Sequence, residues 1–260
     1  RLDGSDAIKK NHNYSAAYAI FYTDAVDLEG HGMAFTCGHD DGTVNCCTEQ
    51  LSVKFVNKKL KYLVVDMRAT HQICTGDSQW IGPEKGVIQL ATATKTEHEV
   101  DVRVHGYPSY TTFAGWLVRR LIREFQAEGF TYFKQKVGSD RQADIRRAGI
   151  IARKLVMRLL PFKSIFIEEP TSSDNMLGHA AIPKALYPRT KVVTGEHIQN
   201  RIIFKQLFQA QVIDFCQINS CRVAGVNEVL AILLMVKKLN IPVALMLAVL
   251  VCVNMFNIFL

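Results

Sequence analysis

Residues 164–197 read "SIFIEEPTSSDNMLGHAAIPKALYPRTKVVTGEH". Two short apolar runs, "SIFIEEPT" (164–171) and "TKVVTGEH" (190–197), are separated by about the length of one helix. That is the rhythm of a βα unit, in which a buried parallel strand reads as continuous apolar sequence. Both runs end in acids, first Glu168 and Glu169, then Glu196 with His197.

The rhythm continues on both sides. "SYTTFAGWL" (109–117) and "TYFKQKVG" (131–138) precede it, and "VIDFCQINS" (212–220) and "IPVALML" (241–247) follow. Helical patterns such as "DRQADIRRAGIIARKLVMRLL" (140–160) lie between them. Several βα units in a row predict a barrel or a doubly wound sheet, with the site at the carboxyl ends of the strands. The residues expected at those ends are Lys134, Lys136, Glu168, Glu169, Glu196, His197 and Asn219.

The first third of the chain has another character. "YSAAYAIFYTD" (14–24) and "LEGHGMAFTCG" (28–38) predict two hairpin strands. "TVNCCTEQLSVKFVNKKLKYLV" (43–64) has helical spacing, and a helix is expected to start at Pro83 in "WIGPEKGVIQLATAT". Residues 1–95 are therefore expected to form an α+β domain, joined through the polar stretch 95–106 to a (β/α) portion over 96–260.

Composition narrows the function. The 260 residues, 48% hydrophobic, suffice for one large domain or two ordinary ones. The net charge of +7 favours anionic ligands, yet the basic residues are scattered. The densest cluster, "NKKLKY" (57–62), is too short for a nucleic-acid tract and reads as a solvated helix face, so no nucleic-acid partner is expected. The seven cysteines form no C-x-x-C pair, which points to a reducing compartment. No secretory signal opens the chain, and Arg1 in place of an initiator Met suggests a trimmed start.

Carboxylates on neighbouring strand ends can hold a hard cation such as Mg²⁺, with waters and substrate oxygens completing the octahedron. A partly desolvated lysine among other cations can act as a base. Together these groups suit proton abstraction next to a carboxylate, where metal and cationic side chains stabilise the added charge. Each piece has a plainer reading. Lys134 and Lys136 share one face of a strand that could simply be wet. The residue before Pro170 is expected to be extended, and "TGEH" could be a charged turn. The order K-x-K, I-E-E-P, T-G-E on successive expected strands is far more specific than any one part.

With that order and the wording around it, the chain resembles the enolase superfamily in its mandelate-racemase-like branch, and is most similar to the L-fuconate dehydratases. The resembling stretches include "GSDAIKKNHNYSAAY", "GFTYFKQKVGSD", "FIEEPTSSDNMLGHAAIPKAL" and "TGEHIQNRIIFKQLFQAQVIDFCQINSCR". The resemblance implies an α+β capping domain followed by a (β/α) barrel, and Mg²⁺-assisted loss of water from a small-molecule sugar acid. It implies Lys136 as the base, Lys134 as its electrostatic neighbour, and Glu168 and Glu196 as metal ligands. Ser5, Asp6 and Tyr14 would belong to the capping loop that closes over substrate. A mitochondrial or cytoplasmic location and a homo-oligomer fit the same reading.

Three departures stand out. The 32 residues from Lys136 to Glu168 should hold two βα units, the first with a third metal carboxylate, but have room for one. Asn219 stands where the family has the Asp of an acid/base dyad, and an amide cannot supply the negative charge that orients an imidazole. After "IPV" the family's Pro-His-Ala-Gly-Gly is replaced by "ALMLAVLVCVNMFNIFL", which reads as an out-of-frame tail. The fold class expected is therefore α/β, an incomplete (β/α)-barrel lacking its third and last strands behind an enolase-like capping domain, with impaired activity. The apolar tail has the length of a membrane span, but its first part matches a barrel strand, so a buried strand ranks above a span.

Overall fold

The computed structural model describes residues 15–26, 28–36, 41–76, 84–94, 110–113, 118–138, 140–154, 164–188 and 190–245. The chain forms two compact units, one of residues 1–13 and 108–164, the other of residues 14–107 and 165–260. The boundary expected near residue 95 falls in a stretch, 95–109, outside the described residues.

In the first unit β3 (Tyr110–Phe113) pairs in parallel with β4 (Tyr132–Gln135), with α5 (Val118–Ala127) as the crossover. The helix α6 (Arg141–Lys154) follows. Asp140 starts it by accepting from the backbone N–H groups of Gln142 and Ala143 at 2.9 and 3.0 Å. Asp144 in its first turn accepts from Gly138 N at 2.8 Å, tying the helix to the end of β4.

The second unit opens with the expected hairpin. β1 (Ser15–Tyr22) and β2 (Glu29–Thr36) pair antiparallel, from Ser15 opposite Thr36 to Tyr22 opposite Glu29. Ala17 and Ala19 face inward, while Tyr18, Ile20 and Tyr22 face out, the period of two expected of a half-buried strand. Ala17 and Ala34 pack on Val44, Val87 and Leu90. These apolar residues belong to the hairpin and to α1 (Asp41–Ser52) and α4 (Val87–Ala93).

Two expectations in this region are corrected. The helical stretch 43–64 is interrupted, because α1 ends at Ser52 and α2 (Leu60–Val65) begins after a turn containing Asn57 at φ +61°. Val53 and Val56 are exposed there, so no burial drives a continuous helix. The other helix starts at Val87, not Pro83, because Gly86 at φ +69° and ψ −139° lies outside the helical region. The helix α3 (Met67–Thr75) was not anticipated; Asp66 caps it by accepting from Ala69 N at 2.9 Å. The basic cluster at 57–62 does lie on solvated surface, with Lys58, Lys59 and Lys61 exposed.

The main sheet follows the expected pattern closely. β5 (Phe166–Glu168), β6 (Lys191–Thr194), β7 (Phe215–Ile218) and β8 (Val243–Leu245) run parallel in that order. α7 (Met176–Leu186), α8 (Arg201–Gln209) and α9 (Val226–Leu239) connect them. β7 is buried throughout, as are Val192, Val193 and Thr194 of β6, which explains why these strands read as apolar runs without alternation. Phe204, Leu207 and Phe208 of α8 and Val229, Ile232, Leu233 and Val236 of α9 complete the core. Asn240, left-handed at φ +53°, ends α9 and turns the chain into β8.

Among the described residues no strand stands between β4 and β5, where 155–163 lie outside them; the tail beyond Leu245 does so too. No helix among the described residues is long and apolar enough to cross a membrane.

Candidate functional site

Three of the singled-out residues stand at one end of the main sheet. Glu168 closes β5 opposite Val193 of β6, Glu196 lies three residues beyond Val193, and Asn219 directly follows β7. This is the carboxyl end of parallel strands, the place where open and closed α/β sheets carry ligands. Glu168 is half-buried with its Oε2 shielded from solvent. Glu196 is 8% exposed and Asn219 only 1%.

The neighbouring acid does something the sequence did not show. Glu169 was expected to be extended before Pro170, but it sits at φ +45°. That left-handed conformation costs a non-glycine residue on the order of 1 kcal/mol. Its own N–H donates to Val193 O at 3.0 Å. Its Oε1 accepts from Thr194 Oγ1, Gly195 N and His197 N at 3.4, 3.4 and 3.3 Å. Glu169 thus holds the turn on which Glu196 is mounted. Two adjacent glutamates look equivalent in sequence, and only the backbone reversal separates their tasks.

The hairpin covers the same end of the sheet. Phe35 N donates to Cys221 O at 3.2 Å, and Met33 and Phe35 join the core cluster that contains Ile198 and Cys221. The N-terminal α+β segment of this unit therefore packs on the turns that follow β6 and β7.

A charge cluster around the buried Glu228 also fastens the β6 turn. Asn200 caps α8 by accepting from Ile202 N and Ile203 N at 3.1 and 3.0 Å, and its Nδ2 donates to Glu84 O at 2.7 Å. Arg201 Nη1 pairs with Glu228 Oε1 and lies 3.5 Å from Glu84 Oε2, while Arg201 N donates to Glu228 Oε2 at 2.7 Å. Glu228 is 1% exposed. His71 of α3 is buried beside this cluster, with Thr75 Oγ1 3.3 Å from its Nδ1.

Burial lowers the pKa of His71 below 6.5, opposed by the charge of Glu228. Burial likewise lowers that of His179 in α7, opposed by Glu169. A depressed histidine pKa means that the unfolded chain binds more protons near pH 6.5, so this share of stability is complete above pH 6.5 and is lost as pH falls below it. Thermal unfolding is expected to move to lower temperature between pH 7.5 and 5.5, and His71→Gln with His179→Gln is expected to flatten that slope. An unchanged slope in the double variant would refute the assignment.

Glu168 and Glu196 carry hard oxygen donors at neighbouring strand ends, the donor type Mg²⁺ takes where water and substrate oxygens complete the octahedron. Among the described residues no group of three or more His, Cys, Asp or Glu gathers around one point. Carboxylate oxygen is the donor type that suits a hard cation, and the chemistry of Glu168 and Glu196 is compatible with one. Lys134 lies opposite Thr112 in the β3–β4 pairing and Lys136 just past β4, both half-buried in the first unit. Ser5, Asp6 and Tyr14 lie outside the described residues.

The comparisons agree with this architecture. The family described as enolase C-terminal domain-like matches residues 151–257. Mitochondrial enolase superfamily member 1 of Bos taurus is 37% identical over 329 positions, covering 92% of this chain and 74% of that protein. L-galactonate dehydratase of Hypocrea jecorina is 36% identical, covering 92% and 73%. The crystal structure of human mitochondrial enolase superfamily member 1 superposes with a TM-score of 0.82 at 34% identity, over 94% of this chain and 75% of that one. A more distant structure, L-talarate/galactarate dehydratase liganded with Mg and L-glucarate, shares the fold with a TM-score of 0.74 at 18% identity, over 99% and 76%. Because 92% of 260 residues is about 239, about 90 of the 329 aligned positions have no counterpart in this chain. With a parallel sheet carrying its acids at the carboxyl end, and relatives of this identity and coverage, the chain belongs to the enolase superfamily.

Proposed function

We propose that this chain is a sugar-acid dehydratase-like protein whose own turnover is weak or absent. The observation that carries the reading is the placement of Glu168 and Glu196 at the carboxyl ends of adjacent parallel strands. Glu168 and Glu196 would hold Mg²⁺, supported by their hard oxygen donors and by the magnesium bound in the talarate/galactarate dehydratase. When bound, the ion would supply positive charge to the substrate carboxylate. Lys136 would take the proton α to that carboxylate, and Lys134 would favour its neutral, basic form by like charge. Residues 1–95 would be the capping domain and 96–260 the barrel portion, in a mitochondrial or cytoplasmic setting.

The reading of impaired turnover rests on Asn219. An amide at the end of β7 cannot serve the acid/base role of a carboxylate, and a general acid/base contributes about 10²- to 10⁴-fold. Dehydration of L-fuconate and L-galactonate with added Mg²⁺ is expected to run at a rate close to that of a Lys136→Ala control. A wild-type rate about a hundred-fold above the control would show an intact site instead. Magnesium binding is tested separately by titration calorimetry. Glu168→Gln and Glu196→Gln are each expected to weaken it by about ten-fold or more, since each removes one of two charged ligands. Equal affinity in either variant would remove that residue from the metal site.

A further inference from the structure

The turn after β7 has hydrogen-bond donors with no acceptor among the described residues. Asn219 is 1% exposed, and its Oδ1 accepts from Cys221 N at 3.2 Å. This is the side-chain turn that Asn and Asp both form with the backbone two residues on. The contact fixes the amide, because exchanging its O and N would set one N–H group against another. Nδ2 is therefore the free branch, and it is shielded from solvent with no acceptor among the described residues. Three residues on, Arg222 N donates to Asn219 O at 3.0 Å, and its side-chain Nε and Nη1 are also shielded without an acceptor. Buried amides and guanidinium groups are nearly always partnered, and every orphan in this turn is a donor. What the turn lacks is oxygen, and an anion supplies it best.

We infer that Asn219 is a ligand-binding residue, its Nδ2 donating to an oxygen of a small carboxylate-bearing ligand at the carboxyl end of the main sheet. Replacing Asp by Asn at this position exchanges an acid/base partner for a neutral donor, so the site keeps an acid without processing it. This rests on the reading above, in which that end of the sheet takes a sugar acid. The amide suits the task, since it adds no negative charge beside Glu168 and Glu196, where a carboxylate would repel an anionic ligand.

The sharpest test is Asn219→Asp, which keeps the side-chain turn and the shape and changes one atom group from donor to acceptor. Titration of the full chain with L-fuconate in Mg²⁺ buffer is expected to give at least about ten-fold weaker binding in the variant. Equal or tighter binding by Asn219→Asp overturns the inference while leaving the sugar-acid reading in place. A wild-type chain that binds no sugar acid overturns both. A second measurement does not depend on the variant folding. In wild-type protein labelled with ¹⁵N-asparagine, the side-chain NH₂ pair of Asn219 is expected to shift on saturation with L-fuconate, and an unmoved pair would overturn the inference.

Discussion

Gly195→Ala is expected to lower stability by on the order of 4 kcal/mol, the sum of overpacking and backbone strain, which for a chain of this size moves the melting temperature by roughly 10 °C. Gly195 links Thr194 to Glu196 at φ +138°, a conformation that side chains rarely adopt. A Cβ there would overlap the Gln217 carbonyl of β7 and press on the Phe204 ring at 3.0 Å. Neither can retreat, because Gln217 lies in a wholly buried strand and Phe204 is fully buried in the core. The glycine lets the β6 turn lie directly on β7, which places Glu196 beside the strand that ends in Asn219. Circular-dichroism melts check the stability, and the same protein is expected to lose most of its Mg²⁺ affinity. A variant that melts with wild type would disprove the close approach.

Arg201→Met is expected to cost about 2 to 3 kcal/mol, because it removes the cation beside the buried Glu228 and leaves that carboxylate only the Arg201 N–H, while the partial exposure of the guanidinium keeps the loss below that of a fully buried pair. Glu228 is 1% exposed, and its partners are the guanidinium and the backbone N–H of Arg201, the first residue of α8. Removing the cation strands a carboxylate inside the protein. Arg201→Met combined with Glu228→Gln is expected to cost clearly less than the single change, since the amide still accepts from Arg201 N and no charge is left behind. Urea unfolding of the two singles and the double closes the cycle. If the penalties simply add, the pair is not coupled. Glu84, 3.5 Å from Arg201, joins the same network, so the cluster fastens the segment before α4 to the helix that begins directly after the Glu196 turn.

Much of this fold was legible because burial writes itself into sequence. "KVV" and "FCQI" lie in strands covered on both faces, so they show no alternation and stand out as apolar runs between helical patterns. The hairpin was legible for the opposite reason, its Ala17 and Ala19 alternating with exposed Tyr18 and Ile20. The helix α3 was missed because only Thr70, His71, Cys74 and Thr75 of it are buried, and such mixed polarity does not announce a core-facing helix. Helix starts went astray where a turn glycine and not a proline set the boundary, as at Gly86.

The sequence alone determined the order of strands and helices, the end of the sheet that carries the acids, and the residue types placed there. All of these follow from hydrophobic period and from the geometry of parallel βα units. Only the tertiary structure decided that Glu169 carries the turn of Glu196, that Arg201 pairs with the buried Glu228, and that Nδ2 of Asn219 has no acceptor among the described residues. Those outcomes depend on backbone reversals and on contacts between residues far apart in the chain, where a hydrogen bond is settled by a few tenths of an ångström that no local pattern encodes.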